Sequence, residues 1–216
     1  MIQSFNSLLV ALSILSMVSA NPRVLAAVIT CVPATPCNGT DDNDTMNGSN
    51  QIDQMNGLGG KDRMSGNAGA DNMKGGGGAD NINGGDGPDF IDELLDNASN
   101  VLSGGGADDS INGGNADDTI NGDDGQDALR GYGGNDRIRG GIGDDVVQGL
   151  DGNDILEGGD GNDVLVGDWD TGPVSLFGAD TLKGGRGDDL LFQSAIGGQY
   201  VLTSDGHRDL GLRRWK

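Results

Sequence analysis

One apolar residue returns at every ninth position through most of this chain, set among glycine and aspartate. Met46, Met55, Met64, Met73, Ile82 and Ile91 follow one another at that interval. After a two-residue slip come Leu102, Ile111, Ile120, Leu129, Ile138, Val147, Leu156 and Leu165. After a longer interruption come Leu182 and Leu191. Self-similarity at a fixed short period marks a repeat architecture, in which each unit buries its apolar side chain only by stacking on its neighbours. Two positions before each apolar residue sits an acid: Asp44, Asp53, Asp62, Asp71, Asp80, Asp89, Asp109, Asp118, Asp127, Asp136, Asp145, Asp154, Asp163, Asp180 and Asp189. Only Asn100 breaks the series. Glycine recurs seven and four residues before the apolar position, and Gly158 to Leu165 shows every element together.

Composition agrees with this pattern. Glycine accounts for 42 of 216 residues and aromatics for 4%, where an ordinary domain has about 7% glycine. Such a chain lacks the bulk for a conventional core; it is either disordered or a repeat that buries one small side chain at a time. The net charge of −21 opposes any compact state. It also excludes nucleic acid as a partner, since nothing here neutralises phosphate. Folding needs counter-charge, and hard cations that take oxygen ligands are its natural source.

The pattern Gly-Gly-x-Gly-x-Asp-x-apolar-x resembles the nonapeptide of the RTX family, the hemolysin-type calcium-binding repeats. Sixteen copies in nearly unbroken phase, over about residues 39–193, carry the resemblance. It implies an all-β fold, a parallel β-roll, in which two nonapeptides make one coil. The spacing gives the same architecture a mechanical reading. Glycines let the first six residues turn sharply, and the last three make a short strand with one side chain inward. Each coil of eighteen residues then rises by about 4.8 Å, one strand spacing.

Turns on one edge stack eighteen residues apart, which lines up their aspartates. One edge would carry Asp44, Asp62, Asp80, Asn100, Asp118, Asp136, Asp154 and Asp180. The other would carry Asp53, Asp71, Asp89, Asp109, Asp127, Asp145, Asp163 and Asp189. An ion between adjacent turns would take carboxylates and glycine-loop carbonyls. This oxygen-only donor set suits Ca2+ better than magnesium. One medium aliphatic side chain per nine ordered residues does not offset the conformational entropy, so ion binding and folding are expected to be one process.

Weak points are also expected. Asp42 and Gln51 replace the second-phase glycine in the first two units, and Ala98, Ala107 and Ala116 replace it mid-chain; a left-handed backbone is costly for these residues. Asn100 keeps an oxygen but loses the charge, so its site should be the weakest, with Asp96 or Asp92 placed to compensate. The break at Val166–Gly178 reads as a surface loop, with Trp169 and Phe177 packing on the roll. The alternative is a degenerate unit with Val174 inward, which would exchange the two edges for Asp180 and Asp189.

The ends divide the chain further. Leu8 to Val18 is an apolar run of signal-peptide length, with Val18-Ser19-Ala20 as the cleavage site. Ala26 and Ala27 are alternative sites, and the segment before the run carries no Lys or Arg. Residues 1–20 are therefore expected to be a signal peptide and the mature protein to be secreted, with no transmembrane segment left after cleavage. Residues 21–38 form an N-terminal segment in which Cys31 and Cys37 are expected to pair as a local disulfide. Residues 39–193 are the roll, with interruptions near 92–101 and 166–178. Residues 194–216 read as a cap or, as the resemblance implies, an export segment. Their basic residues Arg208, Arg213, Arg214 and Lys216 would meet the acidic roll.

Many members of the family attach such repeats to a protease, lipase, epimerase or pore-forming domain, and this chain leaves no room for one. With His207 as the single histidine, an HExxH zinc site is impossible, and no G-x-S-x-G elbow occurs. The expected class is therefore a non-enzymatic, extracellular calcium-binding protein. The alternatives are a cell-surface, biofilm-matrix or adhesin-type interaction module and an accessory of a secreted enzyme or toxin of the family.

Overall fold

The computed structural model describes residues 26–33, 35–168 and 178–193, and as strands alone 201–203 and 210–211. The expected signal peptide, Trp169, Phe177, Val174, His207 and the basic residues of the tail lie outside the described residues. Among the described residues there is no helix, and so none long and apolar enough to cross a membrane.

Among the described residues, twenty short strands form two ten-stranded parallel sheets, and successive strands alternate between them. The strand Thr45–Asn47 pairs with Arg63–Ala68, and Gln54–Gly59 pairs with Asn72–Gly77. The register places Met46 beside Met64 and Met55 beside Met73. This is a β-roll whose coil is two nonapeptides. Between the sheets lies one column of side chains from each, running from Cys37 and Met46 to Leu182 and Leu191, all buried. Only one residue per strand enters this interior, because side chains alternate across a strand and the next residues already turn.

Most strands run for six residues, rather than the three expected around each apolar position. Pairing continues through the glycine turn, as Leu58 beside Gly76 and Gly59 beside Gly77 show. The chain thus keeps inter-coil hydrogen bonds through part of each corner, which limits the number of unpaired backbone groups in a core this thin.

Both sheets extend beyond the sixteen repeats. Val28–Thr30 pairs with Thr45–Asn47, and Pro36–Asn38 pairs with Gln54–Gly59. Ile29 and Cys37 therefore take inward positions without belonging to the repeat. Cys31 and Cys37 are joined by a disulfide that closes this first coil. At the other end Val201–Thr203 pairs with Thr181–Arg186, and Leu210–Gly211 pairs with Leu190–Phe192.

Across the longer interruption, Leu156 lies beside Leu182 and Leu165 beside Leu191. The two edges are not exchanged, and the roll resumes in phase after the interruption. At the shorter slip, Ile82 lies beside Leu102 and Ile91 beside Ile111, and the phase again survives.

Candidate metal centres along the two edges

All fifteen aspartates of the repeat are buried, each 4% exposed or less. They form two lines. From Asp62 onward each Oδ1 accepts the backbone N–H of the equivalent residue one coil earlier: Asp44 N–H donates to Asp62 at 2.7 Å, Asp118 to Asp136 at 2.8 Å, and Asp163 to Asp189 at 2.9 Å. The ladder crosses both interruptions. Asp80 N–H donates to Asn100 Oδ1 at 2.9 Å, and Asp154 N–H to Asp180 Oδ1 at 2.9 Å.

The second carboxylate oxygen has a different fate. In Asp62, Asp71, Asp80, Asp89, Asp109, Asp118, Asp127, Asp136, Asp145, Asp154 and Asp163, Oδ2 is buried and no donor reaches it. Buried polar atoms without partners are rare, and a row of buried acceptors of this kind fits a cation-binding edge. Each such oxygen lies against the glycine that opens its turn. A Cβ on Gly57 would strike both Asp62 Oδ2 and the Gly75 carbonyl oxygen, and one on Gly140 would strike Asp145 Oδ2 and the Gly158 carbonyl oxygen. The first glycine is needed for this close approach, since its φ is not left-handed. The left-handed positions are the second residue of the unit and the second-phase glycine. Among the former are five non-glycine residues, Leu58, Asn67, Asp123, Tyr132 and Leu150.

Burial dominates the electrostatics. It pushes the carboxyls of Asp80, Asp89 and Asp163 up to about 6 and those of Asp109, Asp118, Asp145 and Asp154 up to about 7. The Asp136 carboxyl rises to about 8. In each case the ladder hydrogen bond opposes the rise and neighbouring carboxylates add to it. Asp62, Asp71 and Asp127 are raised for the same first reason.

Among the described residues no three His, Cys, Asp or Glu side chains come together closely enough to hold an ion alone. Each centre would therefore draw on main-chain oxygen as well. Carboxylate and carbonyl oxygens in an adaptable turn are the donor set that calcium takes, so the residues present fit it.

Some units depart from the pattern. Asp44 Oδ2 accepts hydrogen bonds from Thr40 N–H at 2.6 Å and Thr40 Oγ1 at 3.0 Å; Ser49 serves Asp53 in the same way, at 2.6 and 2.9 Å. A hydroxyl residue after the first glycine thus supplies donors to Oδ2 of these two carboxylates, a feature that the glycine–aspartate phase does not reveal; Asp53 Oδ1 is left without a donor. Of the substituted second-phase positions, only Ala107 is left-handed, with φ 81°. Asp42, Gln51, Ala98 and Ala116 avoid that region, so the strain expected there is confined to one residue.

Asn100 spends its Nδ2 on Asp96 Oδ2 at 3.2 Å. The slip also buries Glu93, which stands where the next first glycine would fall. Its carboxylate accepts the amides of Gly75 and, at 3.1 Å, Gly76. Burial pushes this carboxyl up to about 8, against those hydrogen bonds and with help from Asp80 and Asp96. Asp92 instead accepts from Asn112 Nδ2 at 3.2 Å.

A second, exposed ladder runs beside the first. One position before the aspartate, Asp117 Oδ1 accepts Asn135 N–H at 2.6 Å, Asn135 Oδ1 accepts Asn153 N–H at 3.0 Å, and Asn153 Oδ1 accepts Ala179 N–H at 2.8 Å. The recurrence of Asp and Asn at this position was the available signal.

Stacked turns with paired carboxylate rows on a parallel β-roll define a calcium-binding repeat protein. Residues 38–73, 56–91, 96–129, 130–165 and 176–192 match the family model of the RTX calcium-binding nonapeptide repeat, taken four copies at a time. The chain belongs to that family. No curated protein matches it as a relative.

Proposed function

We propose that this is a secreted protein whose roll is completed by calcium, with ion binding and folding as one event. The observation that carries this reading is the row of buried Oδ2 atoms without donors along both edges. Without a cation, each coil adds two desolvated carboxylates to a chain of charge −21, and burial of one aliphatic residue per unit does not offset that. The ligands are Asp62, Asp71, Asp80, Asp89, Asp109, Asp118, Asp127, Asp136, Asp145, Asp154 and Asp163, with Asp180 and Asp189 in phase and carbonyls of the first glycines beside them. Asp44 and Asp53 lie in phase too, but with protein donors already on Oδ2 they bind weakly. The protein binds rather than catalyses. Secretion accords with the N-terminal apolar run, with the disulfide and with a need for calcium at the millimolar level typical of extracellular modules (about 10⁻⁴–10⁻³ M).

Circular dichroism of the chain lacking residues 1–20, titrated with calcium and separately with magnesium, tests this. Cooperative gain of β signal with calcium alone is expected. No response to calcium, or an equal response to magnesium, refutes the reading.

A further inference from the structure

We infer that Asp168 and Gln193 join the repeat aspartate Asp180 in an additional calcium site across the second interruption. This rests on the calcium reading above and extends it to Asp168 and Gln193, which the family match leaves out: it stops at 165 and resumes at 176–192.

The site is built by register. Gly167 holds the place of a first glycine, since its N–H donates to the Phe192 carbonyl at 2.9 Å and its carbonyl accepts Leu150 N–H at 2.7 Å. Beyond the interruption Asp180 stacks on Asp154 like any ladder aspartate. Gln193 follows Leu191 by two residues and so stands one coil beyond Gly167, again in the place of a first glycine. Its side chain reaches back into the turn. Gln193 Nε2 donates to Asp168 Oδ2 at 3.0 Å, which fixes the amide and turns Oε1 the other way. A Cβ on Gly167 would strike both Gln193 Oε1 and Asp180 Oδ2. Two oxygens from different segments therefore face one point.

The oxygens are left without donors. No N–H or O–H reaches Asp168 Oδ1 or Gln193 Oε1, although Asp168 is only 5% exposed and Gln193 8%. Elsewhere on these carboxylates donors are present: Asp168 also accepts Gly178 N–H, and Asp180 accepts from the Gln193 side chain. Glu93 offers a contrast. It occupies the same register after Ile91, yet the amides of Gly75 and Gly76 satisfy its carboxylate. The first interruption thus closes with its own hydrogen bonds. The second presents two carboxylates and a carboxamide oxygen, a doubly charged oxygen set that suits a hard divalent cation with adaptable geometry. An ion there ties the segment ending at Asp168 to the one that resumes at Gly178.

The test is a count of bound calcium at saturation by equilibrium dialysis, on the chain lacking residues 1–20 and on its Asp168→Asn and Gln193→Glu variants. Terbium luminescence excited through tryptophan is read in parallel, since Trp169 follows Asp168 in sequence, with Trp169→Phe as the control. Asp168→Asn can still hydrogen-bond Gln193, so a merely structural pair survives it. The expected result is one fewer calcium ion for Asp168→Asn, with the calcium-induced β signal of the roll retained. Gln193→Glu should bind terbium about tenfold more tightly, because affinity follows ligand charge. Equal calcium counts in the parent and Asp168→Asn overturn the site. So does an unchanged terbium affinity in Gln193→Glu, which decides the matter if Asp168→Asn fails to fold. Absence of calcium from the parent as well would instead refute the function proposed for the whole roll.

Discussion

The coils built from residues 39–91 and those built from residues 102–191 follow the same backbone path, yet they are held differently. The earlier coils fill the interior with Met46, Met55, Met64 and Met73 before Ile82 and Ile91; the later ones use Ile, Leu and Val throughout. Methionine is flexible and specifies packing less sharply than branched aliphatics. One position before each aspartate, the earlier coils place Asn43 and then Ile52, Lys61, Ala70, Ala79 and Pro88. The later coils place Asp108, Asp117, Asn135, Asp144, Asn153 and Asn162 there, and these form the exposed ladder. The first two ligand-phase carboxylates have donors on Oδ2, from Thr40 and Ser49, whereas Oδ2 is bare from Asp62 through Asp163, and the most raised of these carboxyls, Asp136 at about 8, lies in the later coils. The later coils are thus better tied by backbone and side-chain rungs but carry more unrelieved charge. Their folding should depend more steeply on calcium.

The largest effect follows from that difference. Asp136→Ala removes an oxygen that accepts Asp118 N–H and another that no protein donor satisfies. It should raise the calcium midpoint for folding about tenfold, the equivalent of about 1.4 kcal/mol. Asp44→Ala loses the hydrogen bonds that its carboxylate accepts from Ala27 N–H and from Thr40 N–H and Oγ1, worth about 0.5–1.5 kcal/mol each, with little change in calcium dependence. Asp41→Ala, exposed and out of phase, should change neither. Calcium titrations followed by circular dichroism measure all three. Equal midpoints for Asp136→Ala and Asp44→Ala would erase the distinction between the two regions.

An intermediate effect concerns protons in place of calcium. The buried aspartates have folded-state pKa values raised to about 6 in Asp80, Asp89 and Asp163 and to about 7 or 8 in Asp109, Asp118, Asp136, Asp145 and Asp154. The unfolded value is about 3.9. A raised folded pKa means that the native chain binds protons more tightly. The stabilisation is full below the unfolded value and is lost as pH rises through 6 to 8. In chelator, the roll should therefore gain order as pH falls from 8 to about 5.5, and the later coils should respond at the higher pH. Amide hydrogen exchange resolved by peptide would show this. Order that increases with pH in chelator would contradict the burial of these carboxyls.

The fold was legible because nine residues repeat it: the apolar phase gave the sheet register, and the aspartate phase gave both edges. The reading of the glycines was less complete. The second-phase glycine needs a left-handed backbone, as expected, but the first is required by the closeness of a carboxylate and a carbonyl. The left-handed residue after it tolerates Leu58 or Tyr132 and so leaves no trace in the glycine pattern. Thr40, Ser49, Glu93 and Gln193 were missed for a related reason. Each acts through a side chain that reaches out of its own unit, and periodicity reports only what every unit shares. The sheets likewise include Val28–Thr30 and Pro36–Asn38, before the first repeat, because the inward place needs only an apolar side chain such as that of Ile29 or the half-cystine Cys37.

The smallest effect tests how local the strain is. Ala107 and Ala116 occupy the same place in consecutive units, and only Ala107 is left-handed. That conformation costs an L-residue about 1–2 kcal/mol, while glycine in its place costs about 0.4–1 kcal/mol through the freer unfolded chain. Ala107→Gly should therefore stabilise the calcium-loaded roll by a few tenths to about 1 kcal/mol. Ala116→Gly has no strain to relieve and should destabilise it by about 0.4–1 kcal/mol. The two substitutions are chemically identical, so opposite shifts in thermal midpoint at saturating calcium can come only from the backbone. Shifts of the same sign would show that the turn beside the slip at residues 92–101 is no different from the turns of the regular coils.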